Sequence, residues 1–132
     1  MRNIAFGETM TRNFKRSEFK CKCGCGADQI NEDLVQRLQE VRDLLGEPMR
    51  ITSGVRCKKH NASPDVGGSP SSSHVPDNSG IAHAVDVSCH NSAYRERLLK
   101  AVFRVFDRVG IAKSFIHMDV DPNKTAGVVW VY

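Results

Sequence analysis

Residues 58 to 80 contain almost nothing a helix or a sheet strand can use. Asn61, Ser63, Pro64, Gly67, Gly68, Pro70, three consecutive serines from Ser71 to Ser73, Pro76, Asn78 and Gly80 all favour turns. A loop of this length within a compact domain is either functional or disordered. The chain has 132 residues, enough for one core, so the patterned segments on both sides of the loop must share it. His74, placed inside the loop, favours function over disorder.

Before the loop, Asn31 is a plausible helix N-cap. Leu34, Val35, Leu38, Val41, Leu44 and Leu45 then recur at helical spacing, and Gly46 and Pro48 supply the stop. Met49 to Ser53 reads as a short strand running into a turn at Gly54. After the loop, Ile81 to Ser88 reads as a strand. Alternation puts Ala82, Ala84 and Asp86 on one face and Val85 and Val87 on the other. Asn91 or Ser92 caps a second helix. Its apolar face is Leu98, Leu99, Val102, Phe103, Val105, Phe106 and Val109, and it ends at Gly110. Two last strands are expected, Ser114 to Val120 and Val128 to Tyr132. In the first, Phe115, His117 and Asp119 share a face while Ile116, Met118 and Val120 point to the core. The prediction is a single α+β domain over residues 1–132, with two helices packed on a small, largely antiparallel sheet.

Charge and composition narrow the function. The net charge of +4 favours anionic partners. No block of basic residues occurs and aromatic residues make up only 7%, so a nucleic-acid surface is not indicated. No apolar run is long enough to span a membrane. Met1 to Met10 lack the apolar centre of a secretory signal, so delivery beyond the cytoplasm would need another route. Five cysteines cannot all pair within one chain. Cys21, Cys23 and Cys25 crowd a Gly-containing segment, and Cys57 could approach from the loop after Arg56. A second closely spaced pair is missing, so the preferred reading is a tight turn with reduced thiols rather than a structural metal site.

Three dispersed residues suggest chemistry. His74 closes a run of serines, Asp86 sits among small residues on a strand, and His117 has an acid two positions on. Two imidazoles and one carboxylate leave a tetrahedral zinc with an open position, the arrangement of a catalytic ion. Water there becomes a nucleophile near neutral pH. His83 is closer to Asp86 than His74 is, but alternation turns it to the opposite face.

Ser72-Ser73-His74, Ala84-Val85-Asp86 and Phe115-Ile116-His117-Met118-Asp119-Val120 occur in the order of a known pattern. Upstream, Ile51-Thr52-Ser53-Gly54-Val55-Arg56 and Phe14 to Cys21 extend it. The chain resembles the zinc D-alanyl-D-alanine metallopeptidases, especially the compact bacterial and phage peptidoglycan hydrolases whose fold is shared with the hedgehog signalling domain. The resemblance implies zinc on His74, Asp86 and His117. It implies an arginine, Arg56, that clamps substrate or stabilises an oxyanion, with Ser72 near the substrate backbone. The stretch from Val75 to Ile81 lengthens the pattern's spacing between His74 and Asp86, an insertion whose closure costs little. Ser114 stands where many relatives carry an acidic general base. Asp119 is the nearest substitute, either as that base or as the group orienting His117.

The expected function is zinc-dependent hydrolysis of peptide bonds in peptidoglycan stems or cross-links by a monomer, as an endolysin-type peptidase or a DD-carboxypeptidase. It would be made in the cytoplasm and reach the wall by holin-type release or phage delivery. The alternatives are a non-catalytic, zinc-stabilised wall-binding module of the same fold and a nucleic-acid-binding zinc module built on the cysteines.

Overall fold

A computed structural model describes residues 8–132. Helix α1, Glu32–Leu45, begins and ends where its sequence signals stand. The Asn31 side chain accepts a hydrogen bond from Leu34 N at 3.0 Å, a cap that contributes about 1 kcal/mol. Glu32 and Asp33 place negative charge on the first turn, where the helix dipole favours it. Gly46 closes the helix at φ 71°, a left-handed conformation that glycine adopts without a Cβ clash. Leu34, Val35, Leu38 and Val41 form the buried stripe, while Leu44 at the helix end is exposed.

Among the described residues, five strands build one sheet: β1 (Ile51–Ser53), β2 (Ala84–Ser88), β3 (Arg108–Ile111), β4 (Phe115–Asp119) and β5 (Val128–Val131). Their spatial order is β1-β2-β4-β3-β5. Pairings β1–β2, β2–β4 and β3–β4 are antiparallel. The pairing of β3 with β5 is parallel, so the sheet is mixed rather than antiparallel throughout. One face packs on α1 and on α3 (Ser92–Val102), which lie against each other. Val85 and Val87 of β2, Ile116 and Met118 of β4, and Leu98 and Val102 of α3 are fully buried in this core.

Two sequence expectations are corrected. The second helix stops at Val102, not at Gly110. Phe106 N donates to Val102 O at 2.8 Å and the chain turns there. The β-branched and aromatic run that follows suits an extended segment better than another helical turn. Asp107 O accepts from Gly127 N and Val128 N, at 2.8 and 3.0 Å, and so seeds the parallel pairing. Gly110 is therefore no helix stop. It lies in β3 beneath Trp130, where a Cβ would come within 2.6 Å of the indole nitrogen. In a strand such a glycine marks close approach of another group.

The stretch from 58 to 80 is also more ordered than its composition suggests. It opens with helix α2, Lys58–Ala62, whose N-cap is Cys57. Asn61 is buried, and its side chain donates to Ser69 O at 2.8 Å. Its backbone carbonyl accepts from Gly68 N at 2.9 Å. These bonds fold the polar segment back on itself and deliver His74 to the sheet.

Candidate metal centre

The sheet face opposite the helices carries the predicted triplet. Asp86 and His117 are direct partners in the β2–β4 ladder, so their side chains emerge side by side. His74 reaches them from the loop. Its amide donates to Ser72 Oγ at 3.2 Å and its carbonyl accepts from Arg56 N at 2.9 Å. The three candidate ligand atoms lie within 4.8 Å of one another, and all three residues are buried.

Hydrogen bonds set the protons. His74 Nδ1 lies 2.7 Å from Gly54 O. A carbonyl only accepts, so this nitrogen carries the hydrogen and Nε2 presents a lone pair. His117 Nε2 lies 2.7 Å from Asp119 Oδ2, which by the same logic leaves Nδ1 as the lone-pair nitrogen. Both lone pairs converge on Asp86 Oδ1, at 3.2 Å from His74 and 3.0 Å from His117. Three electron-rich atoms thus face one another, and a cation is what such a cluster accommodates. Ligands on a tetrahedral ion at about 2.0–2.1 Å are spaced by about 3.3–3.4 Å, close to the separations present. The residues fit zinc.

A proton can play the cation's part when no metal does. Burial pushes the His117 imidazole down, but Asp119 and Asp86 outweigh it and raise its pKa above the ordinary value. Burial also pushes the Asp86 carboxyl up, yet its contacts with His117 and His74 hold it well below the carboxylate range. His74 is lowered, chiefly by burial. Metal binding therefore competes with a proton on His117.

Asp119 is 2% exposed and both of its oxygens are engaged. Oδ2 holds His117, while Oδ1 accepts from Arg108 Nε at 2.6 Å and from Asp121 N at 3.2 Å. Burial raises this carboxyl, but His117 and Arg108 bring it below its usual value. Those contacts fill both lone pairs of Oδ1 and one of Oδ2.

Above the triplet is a cleft of about 730 Å³. Arg56 lines it, half-buried, and its Nε is enclosed without a hydrogen-bond partner. Such an orphaned donor costs about 1–3 kcal/mol. Ser72 also lines the cleft. Its oxygen receives the His74 amide, and its own hydrogen remains to donate.

His83 faces away from the centre. Its Nε2 meets Asp77 Oδ2 at 2.8 Å and its Nδ1 meets Asn31 Nδ2 at 3.1 Å. It fastens the inserted stretch to the start of α1. Ser114 is exposed and does not line the cleft, and His90 is likewise exposed.

Sequence reasoning did not single out Arg108 or Trp130. Arg108 spans from Asp119 to the face of Trp130, with its guanidinium carbon 5.2 Å from the ring centre. Trp130 in turn stands 5.3 Å from the His117 ring. The signal for Arg108 was obscured when its segment was read as helix. For Trp130 it was the lone glycine at position 110, across the β3–β5 pairing.

Two buried imidazoles and a carboxylate on the floor of a cleft, with one side open, define a metal-dependent hydrolase type of centre. A model of one family, described as Peptidase M15, matches residues 12–119. The chain belongs to the M15 family, the zinc D-Ala-D-Ala peptidases. No curated protein matches it.

Proposed function

We propose that this protein hydrolyses peptide bonds in the stems or cross-links of peptidoglycan, with zinc held by His74, Asp86 and His117. The observation that carries the reading is the convergence of two imidazole lone pairs on Asp86 at the floor of the cleft. When bound, zinc supplies a Lewis acid for the scissile carbonyl and lowers the pKa of water.

The chain's own residues supply the rest. Arg56 offers a bidentate donor to a substrate carboxylate or to the oxyanion that develops on the carbonyl. Ser72 donates to the substrate backbone. Lys22, Arg56, Arg108 and Lys124 line the cleft, a cationic surround suited to the carboxylates of wall peptides. With Asp119 engaged and Ser114 outside the cleft, His60 is the lining imidazole outside the ligand set, and we assign it the proton transfer to the leaving amine. The protein would reach the wall through a membrane lesion or by phage delivery.

Permeabilised bacterial cells should lose turbidity on addition of the protein. Chelator should stop the loss and zinc should restore it, with cut stems visible by mass spectrometry of muropeptides. Zinc-loaded protein that binds walls but releases no cut peptide would instead establish the non-catalytic binding module.

In this scheme Asp119 is a positioning residue acting through His117. Asp119→Asn is expected to weaken zinc binding by about 10–100-fold, with activity largely recovered in excess zinc. Zinc titration alongside kcat at saturating metal checks this. Normal zinc affinity with a collapsed kcat would make Asp119 the general base instead.

A further inference from the structure

Away from the cleft floor, the fold brings a distant fourth cysteine to three that lie close together in sequence. Cys21, Cys23 and Cys25 lie on one turn, and Cys57 caps α2. Their sulfurs all lie within 4.8 Å of one another. Cys21 Sγ is 3.5 Å from Cys23 Sγ, and Cys23 Sγ is 3.6 Å from Cys57 Sγ. The missing second pair of the sequence pattern is matched here by a single distant cysteine, Cys57.

We propose that Cys21, Cys23, Cys25 and Cys57 hold a second zinc ion in a closed, four-thiolate structural site. Four sulfurs at about 2.3 Å from a tetrahedral zinc stand about 3.8 Å apart, close to the Cys21–Cys23 and Cys23–Cys57 separations. A disulfide needs about 2.05 Å, and all five cysteines are free thiols. The backbone is shaped for convergence. Gly24 and Gly26 both take φ 87°, a conformation that would strain residues with a Cβ. Cys21 N donates to Ala27 O at 2.8 Å and closes the turn. Amide hydrogens also point at sulfur, from Cys57 N to Cys21 Sγ at 3.5 Å and from His60 N to Cys57 Sγ at 3.4 Å. Such donors offset thiolate charge. Lys20, Lys22, Lys58 and Lys59 neighbour the ligands in sequence and balance a site that is doubly negative once four thiol protons have left to solvent. No oxidant is involved.

The site has a structural consequence for the cleft. Cys57 directly follows Arg56, and Lys22 lies between two ligands. Val55 N donates to Phe19 O at 2.8 Å, so the same two segments are already laced together just before the cysteines. Zinc there would clamp the N-terminal turn to the segment bearing Arg56.

This inference does not depend on the activity proposed for the cleft. Protein isolated under reducing conditions and loaded with zinc should contain two ions per chain by elemental analysis. The pair Cys23→Ser and Cys25→Ser, both exposed positions, should remove one. The pair His74→Ala and His117→Ala should remove the other and leave the first. With cobalt in place of zinc, thiolate-to-metal charge-transfer absorption should survive in the histidine variant and vanish in the cysteine variant. In wild-type protein, zinc should shield Cys23 and Cys25 from alkylation and chelator should expose them. The proposal is overturned if the cysteine variant keeps both ions, if alkylation ignores zinc, or if the intact mass shows a disulfide. Loss of metal confined to the histidine variant in a one-zinc protein would also overturn it while sparing the cleft.

Discussion

Replacing His74 with alanine is expected to lower zinc affinity in the cleft by orders of magnitude and to abolish hydrolysis, with the fold retained. Only Asp86 and His117 remain as ligands, and two ligands do not hold a catalytic zinc against water. The core should persist because its largest members, among them Phe14, Phe19, Leu34 and Leu38, lie on other segments. Zinc titration with circular dichroism on the same samples checks both halves. The assignment fails if His74→Ala binds zinc in the cleft like wild type while His83→Ala does not. The contacts of His83 with Asp77 and Asn31 speak against that outcome.

Arg56→Ala is expected to retain the cleft's zinc and the fold while losing turnover on the order of a hundredfold, as for the loss of one oxyanion donor. The reason lies in the enclosed, unpartnered Nε and in the burial that lowers the group's pKa despite the nearby Asp86 charge. That guanidinium lines the cleft above the triplet. Steady-state kinetics on a defined wall peptide separates the possibilities. A fall in kcat with little change in KM identifies oxyanion stabilisation, and a rise in KM alone identifies a ground-state carboxylate clamp. An unchanged kcat/KM would reduce Arg56 to a cleft-wall residue.

Much of the site could be read before any coordinates because its elements follow local rules. The Asn31 cap, the helical stripe up to Val41 and the Gly46 stop are all short-range signals, and α1 follows them. Alternation in the fourth strand placed Phe115, His117 and Asp119 together, and all three line the cleft. Alternation also directed His83 away from Asp86. What could not be read depends on long-range pairing. The parallel β3–β5 contact joins residues whose local sequence carries no mark of it, so a strand was absorbed into a helix and Arg108 was overlooked with it. Asp119's contacts were hidden for a similar reason. Only the approach of Arg108 and the Asp121 amide shows that its second oxygen is committed. The convergence of Cys57 on the Cys21, Cys23 and Cys25 turn is long-range too, since ligand spacing along a chain does not report a partner brought in by folding.

Asp86 and His117 face each other in a ladder of five paired residues near the middle of the sheet, whereas His74 arrives on a tethered loop. The centre thus has two halves of unequal stiffness. A register slip of one residue would throw the ladder pair to opposite faces, so their spacing is as rigid as the sheet itself. The loop half can lengthen or shorten between Val75 and Ile81 without disturbing that pair, provided the Asp77–His83 latch still anchors it. Variation in chain length is therefore tolerated on one side of the triplet and forbidden on the other, which makes the insertion the natural place to graft new contacts without rebuilding the site beneath it.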